Sequence, residues 1–272
     1  MPFPYKTILI TGATSGIGLA LAERIINHND DTFVIAVGRR QDRLEALVAK
    51  HGADKVAAEP FDVSDLEGLP AWVNKITTTY PTLDCIVLNA GFQRSVDFTS
   101  PDSISLPRIT AELTTNYLSP VHTLSLFLPH LISRSPNPAC IVLVSSGLSV
   151  LPLPRCANYC ATKAAVHSLA WSLRCQMEGN EKTKHVRVVE VVPPAVKTEL
   201  HTQQEDLVRQ GLDMPGIELD KYIEETWSAL REGELDEIMY SGLREIVGGV
   251  EEERKKRWVG FVEAMRKAGL KF

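Results

Sequence analysis

The chain has 272 residues, 44% apolar and 23% charged, and a formal net charge of −5. That balance suits one large α/β domain able to bury a core. It excludes a disordered chain and a nucleic-acid binder steered by basic charge, because the one basic run, Arg254-Lys255-Lys256-Arg257, follows three glutamates and reads as a solvated helix face.

The stretch Lys6–Thr11 is a short apolar run that predicts a buried strand. A glycine-rich turn, Gly12-Ala-Thr-Ser15-Gly16-Ile17-Gly18, follows, and then a helix carrying Leu19, Leu21, Ala22, Ile25 and Ile26. Strand, glycine turn and helix make the entry to a βαβ unit that holds a dinucleotide, with the free N–H groups of the helix start facing its phosphates. A second strand runs over Phe33–Val37, ends in Gly38-Arg39-Arg40, and precedes a helix through Leu44, Leu47 and Val48. Lys55–Phe61 is a third strand, closing on Asp62-Val63-Ser64-Asp65. Ser64 is the expected N-cap of a helix carrying Leu66, Leu69, Trp72, Val73 and Ile76. Leu83–Leu88 is a fourth strand, ending in Asn89-Ala90-Gly91, and a leucine-rich helix is expected over about Ile109–Ser133. Ala139–Val144 is a fifth strand, followed by a helix over about Ala157–Glu178. Val186–Val192 is a sixth strand, Ile238–Tyr240 a short seventh, and Val250–Ala268 a terminal helix packed through Trp258, Val259, Val262 and Met265.

Strands that are continuous apolar runs, alternating with helices, predict a doubly wound, mostly parallel α/β sheet of about seven strands in a single domain, 1–272. The five cysteines show no C-x-x-C spacing and read as reduced core thiols. No apolar run approaches the ~20 residues of a membrane span. Met1-Pro2-Phe3-Pro4-Tyr5 runs straight into the first strand with no room for a signal peptide, so the expected location is cytoplasmic. The seven histidines are scattered without an H-x-x-x-H pair, and no metal site is expected.

In such a sheet, ligands sit beyond the carboxyl ends of the strands. Standing there are the glycine turn, Arg39, Asp62, Asn89-Ala90-Gly91, Ser145-Ser146 and Pro193 to Thr198. Tyr159 and Lys163 are four apart, on one face of the helix after the fifth strand. Ser146 lies thirteen residues before Tyr159, and Ser145 fourteen.

Thr11-Gly-x-x-x-Gly-Ile-Gly18, Asn89-Ala90-Gly91, Asn116, Ser146 and Tyr159-x-x-x-Lys163 together resemble the short-chain dehydrogenase/reductase family, in its shorter single-domain branch, whose fold is the Rossmann fold. The resemblance covers about residues 5–200. More narrowly, the last third, with Met214-Pro215 before an acidic helix, is similar to oxidoreductases of the D-alanine-transfer-operon type and their fungal relatives. The resemblance implies hydride transfer between a nicotinamide and a small carbonyl or alcohol substrate. Tyr159 is then the acid/base, Ser146 orients the substrate oxygen, Lys163 binds the ribose hydroxyls, and Asn116 holds a water that relays protons to Lys163. A phenol titrates near ~10, so its use at neutral pH wants a shift of roughly three units, about 4 kcal/mol. An ammonium one helical turn away is expected to push that way.

An acid about 20 residues beyond the glycine turn would bind a ribose 2′-OH and repel a 2′-phosphate. The residue twenty after Gly18 is Gly38, followed by Arg39 and Arg40. A guanidinium there can fork onto a phosphate, and Ser15 can add a hydroxyl, so the expected coenzyme is NADP(H). Asp62 and Val63 match the family's adenine contacts, Asn89-Ala90-Gly91 its adenosine-side support, and Val196 and Thr198 its carboxamide contacts. Pro193-Pro194 departs from the family's usual Pro-Gly. The segment 199–235 is expected to cover the substrate, and family habit implies a homodimer or homotetramer. A second reading keeps the fold as a dinucleotide-binding sensor or scaffold without chemistry; consumption of NADPH with a panel of ketones separates the two.

Overall fold

Each apolar run expected to be a strand becomes one, and all join a single sheet. The computed structural model describes residues 3–28, 31–202, 204–212 and 216–270; Met1, Pro2 and the pair Met214-Pro215 lie outside them. In chain order the elements are β1 (Thr7–Thr11), α1 (Gly16–Ile26), β2 (Phe33–Gly38), α2 (Gln41–His51), β3 (Val56–Pro60), α3 (Leu69–Thr79) and β4 (Cys85–Leu88). Then come α4 (Leu106–Leu113), α5 (Ser119–Ser133), β5 (Ala139–Val144), α6 (Ala157–Glu178) and β6 (Val186–Val192). The chain ends with α7 (Glu199–Thr202), α8 (Glu205–Arg209), α9 (Leu219–Glu232), β7 (Glu237–Met239) and α10 (Ser241–Lys267).

The strand order is β3-β2-β1-β4-β5-β6-β7, with every pairing parallel. The order reverses between β1 and β4, which opens a crevice at their carboxyl ends. Alternate residues serve opposite faces. Ile8, Ile10, Val34, Ala36 and Val87 pack with α1 and α9, while Leu9, Ile35, Val37, Ile86 and Ile141 pack with α3, α5 and α6. A one-residue slip in any strand would exchange those faces, so the register of the crevice is fixed by core packing.

Three local expectations shift. Ser64 does not cap α3: its N–H and hydroxyl both donate to Asp62 Oδ1, at 3.0 and 2.7 Å, and Leu66 stays in the turn. A short side-chain acceptor competes with helix here, and α3 starts where Pro70 fits the first turn. The long leucine-rich helix starts at Leu106 and is broken by a π-turn over Thr114–Leu118. In a regular helix Pro120 would leave the carbonyl of Asn116 without its N–H, and the irregular turn sits there. Helix α10 begins nine residues before the expected Val250, running through Gly248 and Gly249 because Val247 and Glu251 are buried. On it Trp258, Val262 and Met265 are half-buried, whereas Val259 is exposed.

Four of the five cysteines are buried and Cys175 is half-buried; all five are free thiols. Among the described residues no group of histidine, cysteine and carboxylate side chains is arranged to hold a metal, and no helix is long and apolar enough to cross a membrane.

Candidate active site

The glycine turn is braced from β4. Asn89 Nδ2 donates to the Thr11 carbonyl at 3.0 Å, and Thr11 Oγ1 accepts from the N–H groups of Asn89 and Ala90 at 3.0 and 3.1 Å. Gly12 has φ +71°, a left-handed backbone that favours glycine. At Gly18 a Cβ would stand 2.4 Å from both Asn89 Nδ2 and the Gly12 carbonyl, so only hydrogen fits. Asn89 thus shapes the glycine turn itself. Ser15, Gly16 and Ile17 line the cleft, and the side chain of Thr198 faces Gly16 from across it.

At the end of β2 the two arginines part. Arg39 is 74% exposed and stands 3.7 Å from Asp62 on the rim. Arg40 is drawn inward: its guanidinium donates to Thr14 Oγ1 at 2.9 and 3.0 Å, to Ser15 Oγ at 2.6 Å and to Glu199 at 2.6 Å. Sequence reading placed the weight on Arg39; the structure sets Arg40 beside Ser15. Asp62 spends Oδ1 on the turn with Ser64, and neighbouring Val63 is buried at the cleft wall.

Ser146, Tyr159 and Lys163 meet in the same cleft, each at least nine-tenths buried. Ser146 Oγ accepts the Leu148 N–H at 3.1 Å and faces the Tyr159 phenol. Lys163 Nζ donates to the Val144 carbonyl at 2.8 Å and lies 5.8 Å from the Tyr159 ring centroid. Asn116, in the π-turn, accepts from Phe92 N at 3.0 Å and donates to the Phe92 carbonyl at 2.9 Å and to Thr162 Oγ1 at 3.2 Å. A Cβ on Gly91 would stand 3.0 Å from Asn116 Oδ1 and 3.5 Å from Lys163 Nζ, which measures how tightly loop, asparagine and lysine converge.

The electrostatics correct one expectation. Burial pushes the Tyr159 phenol well above its ordinary value, and the Ser146 hydroxyl only partly offsets this. Burial likewise pulls Lys163 from 10.5 down to about 8, against the carboxylates of Glu112 and Glu190. The net shift of the phenol is therefore upward: desolvation dominates, and the lysine's own charge is weakened by the same desolvation.

Behind the lysine lies a network that sequence reading missed. His167 is fully buried between two carboxylates, with Nδ1 at 2.8 and 2.9 Å from Glu190 and Nε2 at 3.0 Å from Glu251. Ser145 donates its hydroxyl to Glu190, so its side chain is committed there while Ser146 faces the phenol. Burial opposes charge on His167, but the hydrogen bond and charge of Glu190, with Glu251 beyond, hold its pKa above the usual value. Two signals were available. Tyr159, Lys163 and His167 follow at intervals of four, and Glu190 is the one acid in the mostly apolar strand Val186–Val192.

The loop after β6 keeps a defined path despite its doubled proline. The Pro193 carbonyl accepts from Gly147 N at 2.8 Å, and Val196 bridges to Ile217. Val196 is buried, and with Thr198 lines the cleft, whose volume is about 840 Å³. Of the segment expected to cover the substrate, Glu199, Leu200, His201, Leu207 and Leu212 reach the cleft, while α9 is buried against α1 through Tyr222 and Trp227.

A parallel sheet with a braced glycine turn at its switch point defines a nucleotide-binding α/β protein, and the polar group beside that turn is one suited to oxidoreduction. The chain belongs to the short chain dehydrogenase family: the family model matches residues 6–208. It is 37% identical over 250 residues to the uncharacterized oxidoreductase DltE of Bacillus subtilis, covering 90% of this chain and 93% of that protein. It is 33% identical over 228 residues to the benzil reductase ((S)-benzoin forming) IRC24 of Saccharomyces cerevisiae, covering 83% and 85%. The fold matches a short chain dehydrogenase/reductase from Burkholderia phymatum solved with NAD, at a TM-score of 0.77 and 19% identity, covering 96% of each chain.

Proposed function

We propose that the protein is an NADP(H)-dependent carbonyl reductase acting on apolar ketones, with Tyr159 as the acid/base. The observation that carries this reading is the convergence of Ser146, Tyr159 and Lys163 in the cleft that the glycine turn opens into. The glycine turn fits a dinucleotide, because Gly12 and Gly18 leave room that a side chain would fill. Ser15 and Arg40 supply a hydroxyl and a guanidinium suited to a 2′-phosphate. A nicotinamide coenzyme, when bound there, would supply the hydride that reduces the substrate carbonyl carbon. Ser146 donates a hydrogen bond to the carbonyl oxygen, and Tyr159 gives that oxygen its proton as the C=O bond becomes a C–O–H. Lys163 stabilises the phenolate that forms. Asn116 holds the Phe92 loop against Lys163 and belongs to the path that returns the proton.

The substrate class follows from the walls. Leu148, Leu151, Leu153, Leu207, Leu243 and Ile246 line the mouth, and Leu151, Leu153 and Ile246 are exposed there. Exposed apolar side chains gathered at one concave mouth suit an apolar ligand. The yeast relative named benzil reductase supports the same class. NADPH absorbance followed with benzil and a panel of aliphatic and aromatic ketones tests the reading. Consumption with the apolar aryl ketones is the expected result; no consumption with any carbonyl would defeat it and favour a non-catalytic binding role.

A further inference from the structure

The acid that NAD-selective sheets carry at the end of β2 is missing here, yet a carboxylate reaches the same place from elsewhere. Glu199, the first residue of α7, bridges two guanidinium groups with one oxygen to each. Oε2 accepts from Arg40 Nη1 at 2.6 Å, and Oε1 from Arg43 Nη1 at 2.5 Å. Arg40 and Arg43 are held from the other side by Thr14, through its hydroxyl and its carbonyl, the latter at 3.2 Å from Arg43 Nη1. Arg40 also donates to Ser15 Oγ at 2.6 Å. Two guanidinium groups around one pair of anionic oxygens, with a serine hydroxyl beside one of them, is the donor set a phosphate would take. Ser15, Arg40 and Glu199 all line the main cleft.

We infer that Glu199 is an internal counter-anion that a coenzyme 2′-phosphate must displace, and that it sets coenzyme selectivity by competing for Arg40 and Arg43. The inference rests on the NADP(H) reading above. A carboxylate and a phosphate dianion cannot share the same two guanidinium groups without repulsion, so the phosphate meets arginines already paired. The side chains involved are 35–41% exposed, so each pair is modest in strength and exchangeable. Glu199 thus lowers affinity for the phosphorylated coenzyme specifically. It acts as the acid missing from the end of β2 would, at one remove, through the arginines and not through the ribose.

The test is equilibrium titration of the full chain with adenosine 2′,5′-bisphosphate, 5′-AMP, NADPH and NADH, comparing the parent with Glu199→Gln, Glu199→Ala and Arg40→Ala. Both Glu199 variants should bind the two 2′-phosphorylated probes about three- to tenfold more tightly, roughly 0.7–1.4 kcal/mol, and raise their preference over the unphosphorylated probes by the same factor. Arg40→Ala should erase the preference. If the parent prefers the 2′-phosphate but Glu199→Gln and Glu199→Ala bind it equally or more weakly, Glu199 orients the arginines and does not compete, and the inference falls while the coenzyme reading stands. If neither the parent nor the Glu199 variants prefer the 2′-phosphate, the coenzyme reading falls and the inference with it.

Discussion

Replacing Lys163 by methionine should stabilise the fold while removing activity. Lys163 is 4% exposed, and burial brings it from 10.5 down to about 8. At pH 7 the folded protein still protonates it, but carrying the charge costs about 3 kcal/mol relative to the unfolded chain. Methionine has similar length and no charge. Against this, the Val144 carbonyl loses its donor, at about 1–2 kcal/mol. The net gain at pH 7 is about 1–2 kcal/mol, a rise in Tm of roughly 2–6 °C for a chain of this size. The advantage fades as pH rises. A group whose folded pKa lies below its unfolded one destabilises the fold most below the folded value, and the penalty fades as pH rises towards the unfolded value. At pH 10 the folded lysine is neutral, the penalty shrinks to about 1 kcal/mol, and the advantage of the variant should disappear. Urea unfolding of parent and Lys163→Met at pH 7 and pH 10, read as the difference between the two proteins, isolates this group. A variant less stable than the parent at pH 7, or a difference indifferent to pH, would refute the reasoning.

The two arginines after β2 should separate cleanly. Arg40→Ala is expected to weaken NADPH by about 10- to 100-fold, the worth of charge-assisted bonds of roughly 1.4–2.8 kcal/mol, with Arg39→Ala costing less; equal effects in a fluorescence titration would contradict their different placement. Gly18→Ala puts a Cβ 2.4 Å from Asn89 Nδ2 and the Gly12 carbonyl, so it should cost about 1–3 kcal/mol and distort the phosphate turn. An unchanged melting curve with intact NADPH binding would count against that packing. His167→Leu leaves Glu190 and Glu251 buried without their shared partner and should cost about 3 kcal/mol or more in urea unfolding; a neutral outcome would mean the network is not ionic.

What the amino-acid sequence made legible was local. The strands announced themselves as apolar runs, and β5, α6 and β6 fall on the expected residues because their periodicity runs unbroken. Tyr159 and Lys163 were legible because helical spacing alone puts them together. What stayed hidden depends on partners far along the chain. Arg40 meets Glu199 across 159 positions, and His167 meets Glu251 across 84. Neither glutamate differs in local pattern from a surface acid. Arg39 looked equivalent to Arg40 because a sequence carries no sign of which neighbour turns inward. The phenol's high pKa was hidden too, since the ammonium's proximity was visible and the depth of burial was not.

In the proposed mechanism the Tyr159 hydroxyl delivers the proton that completes carbonyl reduction. Stopped-flow single turnover of the Tyr159→Phe protein, preloaded with NADPH and mixed with benzil, tests it most directly. Loss of the proton donor should slow NADPH oxidation by about 10²–10⁴-fold while the NADPH dissociation constant stays within a few-fold of the parent's. Oxidation at the parent rate would contradict the account.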